Sequence, residues 1–378
     1  MTPVQKPPDL RALTTLRFLA ALWVVLYTAW PHLDVGFVPN VVSKGYLGVE
    51  AFFVLSGFIL SHVYLEAAGS GRFSYGGFLW ARIARVYPLH LVTLFGMIGL
   101  GVAATVAGLA IDGSLTDWRA LPAHLTMTHA WGLAPSSAFN HPSWSISAEW
   151  FAYLSFPAFA FAAWRLRKRP MTATVLVVGL ALGLYAAFER LAGFSLTEAT
   201  FLWGALRIVP CFALGCALYL IHRHRPTPRA GLIALAGITG LVVSASLQWW
   251  DPITVLFAGV AILGLGSVAN ARAGLMGSRM GVYLGEISYS IYMVCAPVLL
   301  LTTNIAARIT GAERFHVFVW LALVAAIPVT AALTYHLVER PARKALRGLA
   351  ARRKTRENSE SPSGVSPERG LQHSETIV

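Results

Sequence analysis

"TLRFLAALWVVLYTAW" occupies Thr15–Trp30, and its reading decides the fold. The stretch is apolar over enough residues to begin a membrane helix, yet it holds Arg17. A guanidinium at bilayer depth costs roughly 2.5–3.5 kcal/mol on insertion scales, so it is kept where it faces a polar interior. Thr28 follows eleven positions later, about three turns on, and shares the helix face with Arg17 at about 16 Å along the axis. The simpler structural alternative is an arginine that snorkels toward a headgroup.

The rest of the chain agrees with a membrane setting. Its 378 residues are 56% hydrophobic and only 12% charged, whereas an average soluble domain carries about 25% charge. The apolar runs are continuous rather than alternating, which favours helices over a barrel. About ten spans are expected, near 12–30, 46–66, 84–108, 145–165, 171–191, 202–221, 230–249, 253–270, 281–303 and 316–338. The seventh and eighth are separated only by "WWDP". The fold class is therefore all-α: a polytopic integral membrane protein, with residues 1–347 as the membrane domain and 348–378 as a basic, then polar, disordered tail. The first helix lacks the small-residue cleavage site of a signal peptide and reads as retained.

The net charge of +13 would point to nucleic acid in a soluble protein. Here the basic residues sort by loop, so no nucleic-acid partner is expected. Arg72, Arg82, Arg85, the run Arg165 to Arg169, Arg223 to Arg229, Arg272, Arg279 and the residues from Arg340 onward fall on one side. Lys44, Arg119, Arg190, Arg308 and Arg314 fall on the other. The positive-inside rule then places both termini in the cytoplasm. Cys211, Cys216 and Cys295 lie inside apolar spans and form no metal spacing, so no metal site is expected. The loop 109–144, with Trp118, His124, His129, Trp131 and His141, is expected to fold back as an interfacial lid.

Several polar constellations interrupt the spans. "LWARIARVYP" (79–88) sets Arg82 and Arg85 three apart, on one face at the cytoplasmic mouth of the third span. Two adjacent guanidiniums make a phosphate clamp, although the positive-inside rule alone also accounts for them. "NHPSWSISAEWFAYLSFP" (140–157) carries Glu149 with Trp144, Ser145, Ser147 and Trp150. "GYLGVEAFFVLSGFIL" (45–60) places Glu50 at an outer helix end, with Ser56 and Gly57 at depth, where small residues also serve close helix packing. "GEISYSIYMVCAP" (285–297) adds Glu286, Ser288, Tyr289, Ser290, Tyr292 and Cys295, more hydroxyls than a lipid-facing surface needs.

In their order and positions, "LRFLAALWVVLY", "GYLGVEAFFVLSGF", Arg-x-x-Arg, "PSWSISAEWF", "LGEISYSIYM" and "HLVERPAR" resemble acyltransferase family three, the multi-pass bacterial membrane O-acyltransferases, over about residues 9–347. The resemblance implies transfer of an acyl group, usually acetyl, from cytosolic acyl-CoA to a hydroxyl of an exopolysaccharide, lipid-linked oligosaccharide or other envelope glycan at the bacterial inner membrane. Acyl-CoA enters as donor substrate rather than tightly bound cofactor; the glycan and membrane lipids are the other partners. By the same resemblance Arg17 lines the catalytic groove, Arg82 and Arg85 hold donor phosphates, Glu149 is the acid after Trp-Ser, and Glu339 with Arg340 closes the last span. Tyr289 is assigned to the donor, and Glu50, Trp144 and Ser145 to the acceptor.

Two positions depart from the family pattern. It has a histidine, the expected general base, where this chain has Thr28, and often another where this chain has Cys295. A sugar hydroxyl attacks a thioester slowly without a base, a contribution of roughly 10²–10⁴-fold. His32, Glu149 and Cys295 are the available replacements. Three readings therefore stand: an active transferase with a relocated base, an inactive homologue that binds donor or acceptor, and a transporter of lipid-linked sugars. The transporter reading lacks the repeated halves and paired broken helices that transporters show.

Overall fold

The computed structural model describes residues 9–108, 117–224 and 227–349. Residues 109–116, part of the expected lid, and the expected tail from residue 350 onward lie outside the described residues. The architecture is all-α, with thirteen α-helices among the described residues. In chain order they are α1 (Arg11–Ala29), α2 (Asn40–Ser43), α3 (Gly48–Gly69), α4 (Tyr75–Val106), α5 (Leu121–Leu125), α6 (Trp144–Leu166) and α7 (Pro170–Ala192). There follow α8 (Gly204–His224), α9 (Ala230–Ser246), α10 (Asp251–Ser267), α11 (Arg279–Glu286), α12 (Ser288–Thr310) and α13 (Val317–Thr334).

Each expected span is occupied by helix. Seven stretches of the described residues are long and apolar enough to cross a membrane, while α9 and α10 are apolar but shorter, at 17 residues each. The helix α6 has the length but not the hydropathy, because its first turns carry Trp144, Ser145, Ser147 and Glu149. Prolines 88, 157, 210, 297 and 328 lie inside helices. A bundle tolerates this because neighbouring helices satisfy the freed backbone groups.

At the centre stands α3, packed on α8, α6, α1 and α10. It is buried along most of its length, which explains its small residues. A Cβ at Gly57 would stand 2.1 Å from the Phe212 carbonyl oxygen, and one at Gly215 would stand 2.0 Å from that of Val54. The α3–α8 crossing therefore requires glycine on both helices, allowing the backbones to meet. An aromatic cluster of Tyr64, Phe73, Phe78 and Phe156, with Phe78 and Phe156 stacked, fills the space between α3, α4 and α6.

Three boundaries differ from the sequence expectation. First, α4 begins at Tyr75 rather than near 84, because Ser74 caps it, its hydroxyl accepting from the Gly77 amide at 3.3 Å. Arg82 and Arg85 consequently sit two to three turns inside a helix rather than at its lip. Second, the expected ninth span is two helices, α11 and α12, that meet at Ile287. Gly285 lies so close to α1 that a Cβ there would be 1.9 Å from the Thr14 carbonyl, and Ser288 Oγ donates to the Gly285 carbonyl at 2.8 Å. Third, α13 runs on through a π-helical turn at Tyr335–Glu339 to form one apolar stretch from Val317 to Leu349.

The described part of the loop after α4, residues 117–143, is not an interfacial lid. His124, His129 and Asn140 are fully buried, Tyr87 Oη donates to the Leu125 carbonyl at 2.9 Å, and Asn140 Nδ2 donates to the Met293 carbonyl at 3.1 Å. The segment plugs the space between α4, α6 and α12. Its backbone polar groups are satisfied by side chains there, such as Ser147 Oγ accepting from the Ala130 amide at 2.9 Å.

Candidate active site

A cavity of about 440 Å³ opens between α1, α3, α4, α6 and α12. It is built from residues that otherwise would be misplaced in an apolar bundle. Arg17 enters from α1, Ser56 from α3, Arg82 and Arg85 from α4, Ser145, Glu149 and Tyr153 from α6, and Tyr289 and Tyr292 from α12. Asp9 and Arg347 stand at its rim.

Arg17 thus faces a polar chamber and not the acyl chains. Its charged surroundings are Arg85, which repels it, and Glu149 and Glu339, which attract it. Glu149 is only half-buried; Ser56 Oγ donates to its Oε1 at 2.6 Å and Tyr153 supplies a second hydroxyl contact. These two hydroxyls fix the carboxylate's rotamer, leaving it accessible from the cavity. The guanidinium of Arg82 lies about 6 Å from the ring centres of Tyr64, Phe78 and Tyr153. Its Nε is buried without a protein partner. Tyr289 donates to the Val86 carbonyl at 2.6 Å and Tyr292 to the Pro142 carbonyl at 3.0 Å, so both phenols brace the wall. Glu339 is buried beneath, accepting from Ser290 Oγ at 3.0 Å and lying 3.7 Å from Arg343.

Thr28 and Cys295 do not line the cavity. They contact each other, so the two positions where the family pattern has histidine are neighbours across α1 and α12. Thr28 Oγ1 also donates to the Val24 carbonyl at 2.9 Å. Thr28 shares the helix face of Arg17, but α12 covers that face three turns on. Tyr292, one turn before Cys295, is the last α12 side chain to reach the chamber, against Phe52 at 6.3 Å between ring centres. His32 is also away from the chamber. It ends a short 3₁₀ turn, Trp30–His32, where its carbonyl accepts from the Phe315 amide at 2.8 Å. The turn is redirected by Pro31, which removes His32 from the α1 face.

Glu50 and Trp144, expected beside the acceptor, serve a buried ion pair instead. Arg207 Nε donates to Glu50 Oε1 at 2.5 Å, Arg207 Nη1 donates to the Ala199 carbonyl at 2.7 Å, and the guanidinium lies 4.5 Å from the Trp144 ring centre. Both charged residues are almost wholly buried. The sequence reading overlooked Arg207, although an arginine in the apolar run of α8 carries the same signal that marked Arg17.

It also missed a stack of three imidazoles behind α6. The rings of His124 and His129 are 3.9 Å apart and nearly parallel, and His90 lies 5.8 Å from His129. Burial, with the His90 ring beside it, pushes His124 down to about 3. Burial also holds His129 well below the usual imidazole range. His129 Nε2 meets Ser143 Oγ at 3.1 Å, while His90 Nε2 meets the His124 carbonyl at 2.8 Å. The stack lies outside the cavity lining.

The profile of the acyltransferase domain matches residues 10–336. The chain is 27% identical over 336 residues to acyltransferase MdmB of Streptomyces mycarofaciens, covering 81% of this chain and 83% of that protein. It is 26% identical over 361 residues to the peptidoglycan O-acetyltransferase OatA of Listeria monocytogenes, covering 87% of this chain but only 55% of that longer protein. It is also 33% identical over 192 residues to protein 2 in the picA locus of Rhizobium radiobacter, 47% of this chain and 93% of that protein. No solved structure matches. With the domain matched over most of its length and the arginines and glutamate of the motifs gathered at one cavity, the chain belongs to acyltransferase family three, the multi-pass membrane acyltransferases.

Proposed function

We propose that the protein moves an acetyl group from cytosolic acetyl-CoA to a hydroxyl of an exopolysaccharide, lipid-linked oligosaccharide or other envelope glycan at the bacterial inner membrane. The observation that carries this reading is the single cavity joining Arg82 and Arg85 to Arg17 and Glu149. A donor whose phosphates dock on the α4 arginines can extend its flexible pantetheine arm along this chamber. The thioester then arrives near Glu149.

In this reading Glu149 is the general base. It is the one candidate replacement for the absent histidine that lines the chamber; His32 and Cys295 do not. The acceptor oxygen attacks the thioester carbonyl carbon while Glu149 takes its proton. The carbon–sulfur bond breaks, the thiolate of CoA leaves, and the proton passes from Glu149 to that sulfur. Arg17 faces the developing oxyanion, where a fixed cation in a partly dry site is most effective. The test is transfer of radiolabelled acetyl from acetyl-CoA by the purified protein in nanodiscs, with loss of donor to water as the acceptor-free readout. Glu149→Gln is expected to lower the rate by roughly 10²–10⁴-fold while leaving donor binding nearly unchanged. A wild-type rate in Glu149→Gln would remove the carboxylate from the chemistry.

The contact between Thr28 and Cys295 favours a second reading, an inactive homologue that retains donor binding. Here both imidazole positions of one neighbouring pair have been replaced. Under that reading the wild-type protein binds acetyl-CoA without turnover, and the double variant Thr28→His, Cys295→His gains it.

A further inference from the structure

Beyond the α4 pair, a further arginine, Arg347, reaches the cavity from the other end of the chain. The π-helical turn at Tyr335–Glu339 inserts one residue into the helical register and re-aims everything after it. Arg343 and Arg347 follow, four apart and therefore on one face. Trp80 Nε1 donates to the Leu346 carbonyl at 2.8 Å, pinning this extension to α4 one turn from Arg82 and Arg85. Arg347 lines the cavity together with Arg82 and Arg85, and Arg343 precedes it by one turn.

Four guanidiniums so placed repel one another. Their carboxylate compensation is thin: Glu339 reaches Arg343 at 3.7 Å, Asp9 stands at the rim, and Glu149 lines the same cavity but makes no ion pair with them among the described residues. Arg347 forms no ion pair among the described residues, and Arg82 Nε is buried without a partner. Such a cluster is completed by a ligand with several negative charges. Building on the donor reading above, coenzyme A offers these in a fixed order. The diphosphate follows the pantetheine arm, and a third phosphate on the ribose lies farther from the thioester. The protein lines this cavity with Arg17, Arg82 and Arg85, each partly buried, and with the exposed Arg347, which leaves Arg347 for the outermost phosphate.

We propose that Arg347 is a donor-specificity residue that binds the ribose phosphate of coenzyme A, while Arg82 and Arg85 hold the diphosphate.

The experiment measures binding of coenzyme A and of 3′-dephospho-coenzyme A to the full-length protein in phosphatidylcholine nanodiscs. Wild type is expected to prefer coenzyme A. Arg347→Gln should weaken coenzyme A roughly tenfold, the effect of one charge-assisted hydrogen bond, and leave dephospho-coenzyme A unchanged. Arg85→Gln should weaken both forms, which shows that selective loss is particular to position 347. Arg347→Lys, which keeps the charge, should recover most of the preference. Equal weakening of both ligands by Arg347→Gln, or no weakening, overturns the assignment. So does an effect seen only when phosphatidylglycerol is added, which would make Arg347 a contact for an anionic headgroup. A wild-type protein that binds neither ligand overturns the donor reading itself.

Discussion

Arg17 and Arg207 are both arginines in apolar helices, and their neighbours give them opposite roles. Arg17 borders a chamber with Glu149 across it. Arg207 is sealed, with Glu50, the Ala199 carbonyl and the Trp144 ring around it and its Nη2 buried without a protein partner. A sealed pair is costly to break because the surviving charge stays buried alone. Glu50→Ala should therefore destabilise the protein by about 3–5 kcal/mol, read as a large fall in unfolding temperature in detergent. Donor affinity of the fraction still folded should hold, since Glu50 lies outside the cavity lining. Replacing both partners, Glu50→Gln with Arg207→Met, should recover much of that stability. A Glu50→Ala protein as stable as wild type would mean that water or lipid reaches Arg207. The difference between the two arginines was not legible in sequence, because an arginine's cost in the bilayer is local while its partner is 157 positions away in the chain.

Among elements, the α3–α8 crossing seats α3, which carries Ser56 to the cavity. Gly57 follows Ser56, whose hydroxyl holds Glu149, so the packing contact and the site contact are adjacent on one helix. Gly57→Ala forces a Cβ to within 2.1 Å of the Phe212 carbonyl oxygen, and rigid backbone must move. Overpacking of this kind costs typically about 1–3 kcal/mol, and it should also lower turnover by shifting Ser56 away from Glu149. Gly179 on α7 is the control: nothing lies within 4 Å of a Cβ there, so Gly179→Ala should be neutral or slightly stabilising. Thermal unfolding and turnover of both variants check the contrast; equal behaviour would deny the close crossing its role. Small residues at Ser56–Gly57 were readable as a packing signal, and the apolar runs located every long helix. The helix starts were less readable. The α4 cap at Ser74 lies in a polar loop, and the break at Ile287 is imposed by contact with Thr14 rather than by any proline or glycine run. The segment 117–143 differs for a related reason: its polarity suggests a surface, whereas His124 and His129 are buried, stacked on each other and packed against Phe201.

At the scale of the whole molecule, two sets of contacts tie the helix ends into opposite rims. On one rim Arg11 donates to Asn270, Arg223 pairs with Glu66, and Trp80 donates to Leu346. On the other Asn40 donates to Ser246, Trp250 to Glu189, and Phe315 to His32. Consecutive long helices run alternately between these rims. The first rim carries Arg72, the Arg165–Arg169 run, Arg223 and Arg279; the second carries few basic residues, with Lys44 neutralised by Asp251. By the positive-inside rule the first rim, and with it the arginine-lined mouth, is expected to face the cytoplasm, as the proposed function requires. A direct check is available because Cys211, Cys216 and Cys295 are all buried, leaving the wild-type protein nearly silent to a membrane-impermeant maleimide. Ser70→Cys and Glu313→Cys put one exposed thiol on each rim. In intact cells Glu313→Cys should label and Ser70→Cys should label only after permeabilisation. The reverse pattern would turn the arginine mouth outward, away from any nucleotide donor, and the proposed direction of transfer would fail with it.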